Sequence, residues 1–369
     1  MKNSFVLSVC IIASVALSDR VSGQAKITVE KVENRGLLFT DNPAGVNGTD
    51  AGYSLPIGNK TLWFFGDVFL LSPMAAHKDV VGDLSNCGLL VSSGKGVTPL
   101  SKYQFITDPA IGLARALLPN RAGESKNIRI WPFGSWYDAT AKRIYLYYGR
   151  VNTTGGGPLD FKWEGNGLAV ADAPNLDDLH FERLPSSIKE DLWWRDSAKS
   201  PVYGSAIVTE RSSDYIYLVG IDTKNHGRAS RMARVSKSKI SDSSAYEYMT
   251  GSSYGPKWST NRDHAVPVAG LDDFPTELSI HWNDYVGGYL AVHSMGISDR
   301  IRISVAPNPW GPYTTISEIS APHRVLGKGF CYAGKEHPEL SEDGGRVIYV
   351  TYVDSERYWL HMLKVTLKK

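Results

Sequence analysis

Thr61-Leu-Trp-Phe-Phe-Gly-Asp67 decides the fold, because it does not stand alone. The same kind of run, aromatic and branched and entered from a polar turn, returns four times. The copies are Arg143-Ile-Tyr-Leu-Tyr-Tyr-Gly149, Asp214-Tyr-Ile-Tyr-Leu-Val-Gly220, Gly288-Tyr-Leu-Ala-Val-His-Ser294 and Arg346-Val-Ile-Tyr-Val-Thr-Tyr352. Such residues favour a pleated, largely buried strand. A second strand follows each copy, as in Gly88-Leu-Leu-Val-Ser92 and Arg302-Ile-Ser-Val-Ala306. Another precedes each copy across a short turn: Asp50–Ile57, Trp131–Tyr137, Tyr203–Val208, Glu277–Trp282 and His337–Leu340. The turns carry Gly58-Asn59, Asn283-Asp284 and Asp343-Gly344-Gly345, residues that suit tight hairpins. Five copies of a strand meander predict an all-β, five-bladed β-propeller. Residues 26–60 and a C-terminal strand near 361–366 are expected to close the ring. Two packed sandwiches would explain the strands but not their five-fold recurrence.

Composition agrees. The 369 residues include 35 Gly, 19 Pro, 10 Trp and 19 Tyr, many turns and many flat rings. Hydrophobic residues make up 42%, enough for a large core. Forty Lys and Arg face 38 Asp and Glu, so there is no basic surplus with which to neutralise a nucleic acid. Residues 1–23 read as a signal peptide: Lys2, an apolar stretch from Phe5 to Leu17, then Val21-Ser22-Gly23 as the cleavage site. The expected location is therefore secreted, periplasmic or extracellular. The apolar run is too short to span a bilayer, and no later segment qualifies, so no membrane span is expected. The remainder, 24–369, is expected to form one propeller domain. No metal-ligand run appears and no cofactor is predicted. Cys87 and Cys331 fall in blades one and five, which makes them candidates for a disulfide at the seam. Two buried free thiols are the alternative.

In a propeller the first strand of each blade lines the central channel, and its start opens on one face. The starts read here are Asp50, Trp131, Tyr203, Glu277 and Glu336-His337. Cleavage of a glycosidic bond needs one carboxyl group to protonate the leaving oxygen and another to activate water or to attack. Asp50 and Glu277 are the expected pair, with Asp67 close enough in sequence to tune a neighbour by like charge. Trp131, Tyr203, His337 and Glu336 are the expected substrate-binding residues, rings for sugar faces and polar groups for hydroxyls. Asp50 is expected to be ionised, with Thr49, Ser54 and amides near Gly52 as donors. Glu277 is expected to be desolvated by Phe274, Pro275 and Trp282. Three functions remain open. One is hydrolysis of a polysaccharide or oligosaccharide. Another is a lyase using His337 and Tyr203 as proton carriers, with Arg129 or Arg262 facing a uronate. The last is sugar binding without catalysis.

Gly48-Thr-Asp-Ala-Gly52, Leu62-Trp-Phe-Phe-Gly-Asp67, Ala245-Tyr-Glu-Tyr-Met-Thr-Gly251, Glu277-Leu-Ser-Ile-His-Trp-Asn283 and Pro309-Trp-Gly-Pro-Tyr313 follow in an order that resembles a secreted family called domain of unknown function 4185. The resemblance covers nearly all of the chain beyond residue 23. It implies a five-bladed propeller related to arabinanase-type glycosidases, some members cutting D-arabinan. It also implies Asp50 as base or nucleophile and Glu277 as general acid. Trp131 stands where some related propellers have a third acid.

Overall fold

A computed structural model describes residues 27–71, 80–92, 100–157, 159–197, 200–210, 212–222, 229–273, 277–321 and 329–369. The signal peptide expected at 1–23 lies outside them, as do Phe274 and Pro275.

Five antiparallel sheets form the five blades. Blade one holds β2 (Val46–Ile57), β3 (Lys60–Leu71), β4 (Val80–Ser92) and β5 (Tyr103–Phe105). Blade two runs from β6 (Ile128–Asp138) through β7 (Arg143–Thr153) to β8 (Phe161–Asp172), with β9 (Glu182–Leu184) and β10 (Trp194–Arg195) on its outer side. Blade three is β11 (Val202–Thr209), β12 (Tyr215–Ile221), β13 (Ser230–Ser236), β14 (Glu247–Met249) and β15 (Trp258–Ser259). Blade four is β16 (Leu278–Asn283), β17 (Gly288–Ser294), β18 (Arg300–Ala306) and β19 (Thr314–Ser320). Blade five is built from both ends of the chain. Its β20 (Cys331–Glu336), β21 (Val347–Asp354) and β22 (Trp359–Lys368) are completed by β1 (Thr28–Leu37), which pairs with β22 from Thr28↔Lys368 to Leu37↔His361. The expected closure is therefore present, and it leaves the ring without an open seam.

All five aromatic runs are the second strands of their blades. They are buried because a blade's middle strand has a neighbouring blade on each face. The apolar side chains form three clusters. The largest joins blades one to four, a second lies between blades one and five, and the third between blades four and five. Cys87 and Cys331 belong to different clusters, both buried as thiols, and no disulfide joins them across the described seam. Packing and the β1–β22 ladder hold it instead.

Blade five differs from the expected register at the strand that matters for the site. Its channel strand is Cys331–Glu336, not His337–Leu340, and Pro338–Leu340 is a short 3-10 turn. The expected start residues Glu336 and His337 are thus at the far end of that strand. A proline and a short polar run obscured the register, while Tyr332-Ala-Gly-Lys335 echoes Asp50-Ala-Gly-Tyr53.

Candidate active site

The inner strands of blades one, two, three and five all bulge near their starts. In β2 the irregularity falls around Asp50, with Ala51 at φ 61° and Gly52 at φ 73°. In β20 it falls after Tyr332, with Ala333 at φ 56°. Bulges re-aim side chains, and here they bring one carboxylate and one phenol together. The Tyr332 hydroxyl donates to Asp50 Oδ2 at 3.0 Å, and so does the hydroxyl of Tyr358, in the turn between β21 and β22, also at 3.0 Å. Gly66 lies opposite Asp50 in β3. A Cβ there would come within 2.5 Å of Asp50 Oδ1, so the glycine of Phe65-Gly66-Asp67 makes room for the carboxylate.

Three acids meet at this end of the channel. Burial raises the pKa of Asp50 well above the usual aspartate value, and the charges of Asp67 and Glu277 raise it further, while the two tyrosine hydroxyls oppose the rise. This differs from the expected polar setting. Ser54 donates nothing to Asp50; its hydroxyl lies 2.7 Å from His337 Nδ1. Asp67 is pushed up to about 6, first by burial, against the pull of Arg129 and of the Trp131 indole. Arg129 Nε stands 4.0 Å from Asp67 Oδ1, and its Nη2 pairs with Asp83. Trp131 Nε1 and Asp67 Oδ1 are buried without a partner in hydrogen-bond geometry. Glu277 is buried just ahead of β16, and its charge acts on Asp50, Tyr53, Tyr332 and Lys335. Trp282, expected beside it, instead lies near the far end of β16, 37% exposed and bonded to Asp284.

Tyr53 makes the floor. Its ring is buried, and its hydroxyl reaches from blade one to donate to Ser205 O of blade three at 2.8 Å. Lys335 Nζ sits 4.7 Å above that ring. Trp131 is partly buried and packs edge-on to Phe161 at 4.9 Å and to Trp163 at 5.8 Å, an aromatic wall next to Asp67.

Three expected binding residues are elsewhere. Tyr203 is fully buried between Trp194 and Tyr248, 5.7 and 5.0 Å away, and serves as core rather than as a sugar platform. His337 stacks on Trp63 at 4.3 Å and is held by Ser54 at Nδ1 and Thr351 at Nε2, each 2.7 Å. Burial, helped by the Lys335 charge, lowers its pKa well below the usual value and keeps it neutral. Glu336 is also fully buried, with its carboxyl pKa raised by burial and by Glu339. His281 Nδ1 lies 3.2 Å from Glu336 Oε2, though the two are not aligned as a hydrogen bond. Tyr332, Tyr358 and Lys335 are not among the expected residues: Tyr332 and Lys335 precede the inner strand expected at His337–Leu340. Tyr358 sits in a turn that carries no repeat signal. A cleft on the outer rim, lined by Asp108, Arg115, Asp177, Asp178 and His180, contains none of the mouth residues.

The family described as domain of unknown function DUF4185 matches residues 37–364. The chain belongs to that family. A search of curated proteins finds no sequence match. Among solved structures, this DUF4185 protein resembles the GH43_1 enzyme of Xanthomonas citri complexed with xylose, at 16% identity and TM-score 0.51, covering 90% of each chain. It also resembles the exo-beta-1,3-galactanase of Phanerochaete chrysosporium, at 11% identity and TM-score 0.51, covering 90% of this chain and 64% of that one. An N-acetylgalactosamine deacetylase of F. plautii, in complex with blood group B trisaccharide, matches at 10% identity and TM-score 0.50, covering 93% and 96%. At such identities the likeness establishes the propeller, and one architecture hosts several chemistries.

Proposed function

We propose that this DUF4185 protein is a secreted glycoside hydrolase that cleaves a polysaccharide, arabinan-like in character, at the mouth of its propeller. The observation that carries the reading is the meeting of Asp50, Asp67 and Glu277, from two blades far apart in sequence, above a floor closed by Tyr53. Asp50 is the base or nucleophile. As base it takes a proton from water while the water oxygen attacks the anomeric carbon. Glu277 gives its proton to the glycosidic oxygen as that carbon–oxygen bond breaks. Two hydroxyl donors on Oδ2 favour the carboxylate form of Asp50. A pKa raised by burial makes that carboxylate a stronger base than an exposed aspartate. Trp131 and Phe161 offer a sugar-facing wall beside Asp67. Lys2 and the apolar stretch from Phe5 to Leu17, which read as a signal peptide, support secretion.

The lyase reading is weaker, because both nitrogens of His337 are engaged and Tyr203 is buried in the core. Incubation with arabinan, xylan, galactan, pectin and ulvan, with products read by mass, tests the proposal. Oligosaccharides carrying one added water per cut are expected. Products with an unsaturated end and no mass gain would establish a lyase, and no products from any polymer would overturn the enzymatic reading.

A further inference from the structure

Asp50 and Tyr332 are aimed by two bulges on different blades, and each bulge contains a non-glycine residue in the left-handed region, Ala51 and Ala333. Such residues persist when something nearby fixes them. One side chain touches both. Lys335 Nζ donates to Ala51 O at 2.5 Å and to Ala333 O at 2.7 Å. It is 1% exposed and lies over the Tyr53 ring, so it stands on the floor of the mouth. Buried lysines are costly unless their charge is compensated. The compensation here is two carbonyls, one aromatic face and the two acids Asp50 and Glu277.

We propose that Lys335 is the positioning residue of this site. Its ammonium ties the bulge of blade one to the bulge of blade five, fixing the angle at which Asp50 meets Tyr332, and it sets positive charge beneath Asp50 and Glu277. Few other groups act on it: Asp50 from β2, Glu277 ahead of β16, the neutral His337 after β20, and the Tyr53 ring. Burial lowers the lysine to about 8, while the two acids hold it up against a larger fall. Lys335 thus remains protonated at neutral pH, and the charge coupling is mutual. A hydrophobic residue of the same length would fill the space but lose both the tie and the charge.

The consequence for catalysis rests on the hydrolase reading, but the coupling does not, so it is tested without substrate. The 13C-labelled lysine ε-carbon of Lys335, assigned by its loss in Lys335→Met, is titrated by NMR in the otherwise unaltered protein. Its midpoint is expected near 8 and about one unit lower in both Asp50→Asn and Glu277→Gln, since each removes a stabilising anion. In Lys335→Met the 13C-carboxyl midpoint of Asp50 is expected to rise by about one unit. Should Lys335→Met fail to fold, Lys335→Arg provides the assignment and the first two variants alone decide the coupling. Lysine midpoints unchanged in both acid variants would overturn the proposal. So would an Asp50 midpoint unmoved in a folded Lys335→Met. On whichever polymer is cleaved, Lys335→Met should lower kcat more than it raises KM, with its acid limb displaced upward.

Discussion

The channel holds buried acids at two levels, and they are treated differently. At the mouth, Asp50 accepts from two tyrosine hydroxyls, Asp67 faces Arg129, and Lys335 lies beneath Asp50 and Glu277. Four residues past Tyr332 along β20, at most about 13 Å away, Glu336 is buried with neither carboxyl oxygen in a hydrogen bond, and Glu339 is buried in the turn that follows, near the Ser54 hydroxyl. Burial raises the carboxyl pKa values at both levels. The mouth supplies donors and cations that favour charge, whereas the deeper level supplies neutral histidines and another acid. An anion can be used at the mouth. Deeper in the channel the carboxyl groups are best kept neutral, since an unpaired buried charge is expensive.

The largest effect expected from this contrast is on turnover. Asp50→Asn and Glu277→Gln should each retain the fold, checked by circular dichroism, and lose about 10²–10⁴-fold in kcat. Glu336→Gln should leave kcat close to the unaltered protein, and a comparable loss there would erase the distinction between the two levels.

Next come shifts in the pH profile. Asp67 raises the pKa of Asp50, so Asp67→Asn should move the acid limb of kcat/KM downward by about one unit. Tyr358→Phe removes a donor that lowers that pKa and should move the limb upward. Limbs that move together would refute the assigned couplings.

A smaller effect concerns stability. The raised carboxyl of Glu336 holds a proton when folded that the unfolded chain releases above pH about 4.5. Its contribution is therefore lost as pH rises from there toward the folded value. Glu336→Gln should flatten that slope and raise Tm at neutral pH, read by thermal unfolding across pH. A steeper slope in the variant would mean that Glu336 is charged in the folded protein. The smallest expected change is none. Cys87 and Cys331 are fully buried, and burial pushes the Cys87 thiol up, so neither should react with a thiol reagent before unfolding.

Much of the fold was legible because blade middle strands are buried on both faces and must read as aromatic and branched runs. The ladder of Arg143–Thr153 is visible in Arg143-Ile-Tyr-Leu-Tyr-Tyr alone. Outer strands such as Trp194–Arg195 and Trp258–Ser259 are two residues long and leave no pattern. Asp50 and Glu277 could be aligned because their strands begin after recognisable loops. Tyr332 and Lys335 could not, since a bulge at Ala333 and a turn at Pro338 disguise where β20 begins. Tyr203 misled for a related reason. Strand position placed it near the channel, but only packing shows that its ring turns away from it, between Trp194 and Tyr248. The charge state of Asp50 also depends on neighbours from other blades, which no local sequence contains.

The most direct measurement is cleavage in oxygen-18-labelled water. The unaltered protein, Asp50→Asn and Glu336→Gln are incubated with the same susceptible polysaccharide, and products are read by mass. The unaltered protein and Glu336→Gln should each place one labelled oxygen in the new reducing end per cut, while Asp50→Asn yields almost no labelled product. Labelled product from Asp50→Asn at the full rate, or its loss in a folded Glu336→Gln, would contradict the placement of catalysis at the mouth.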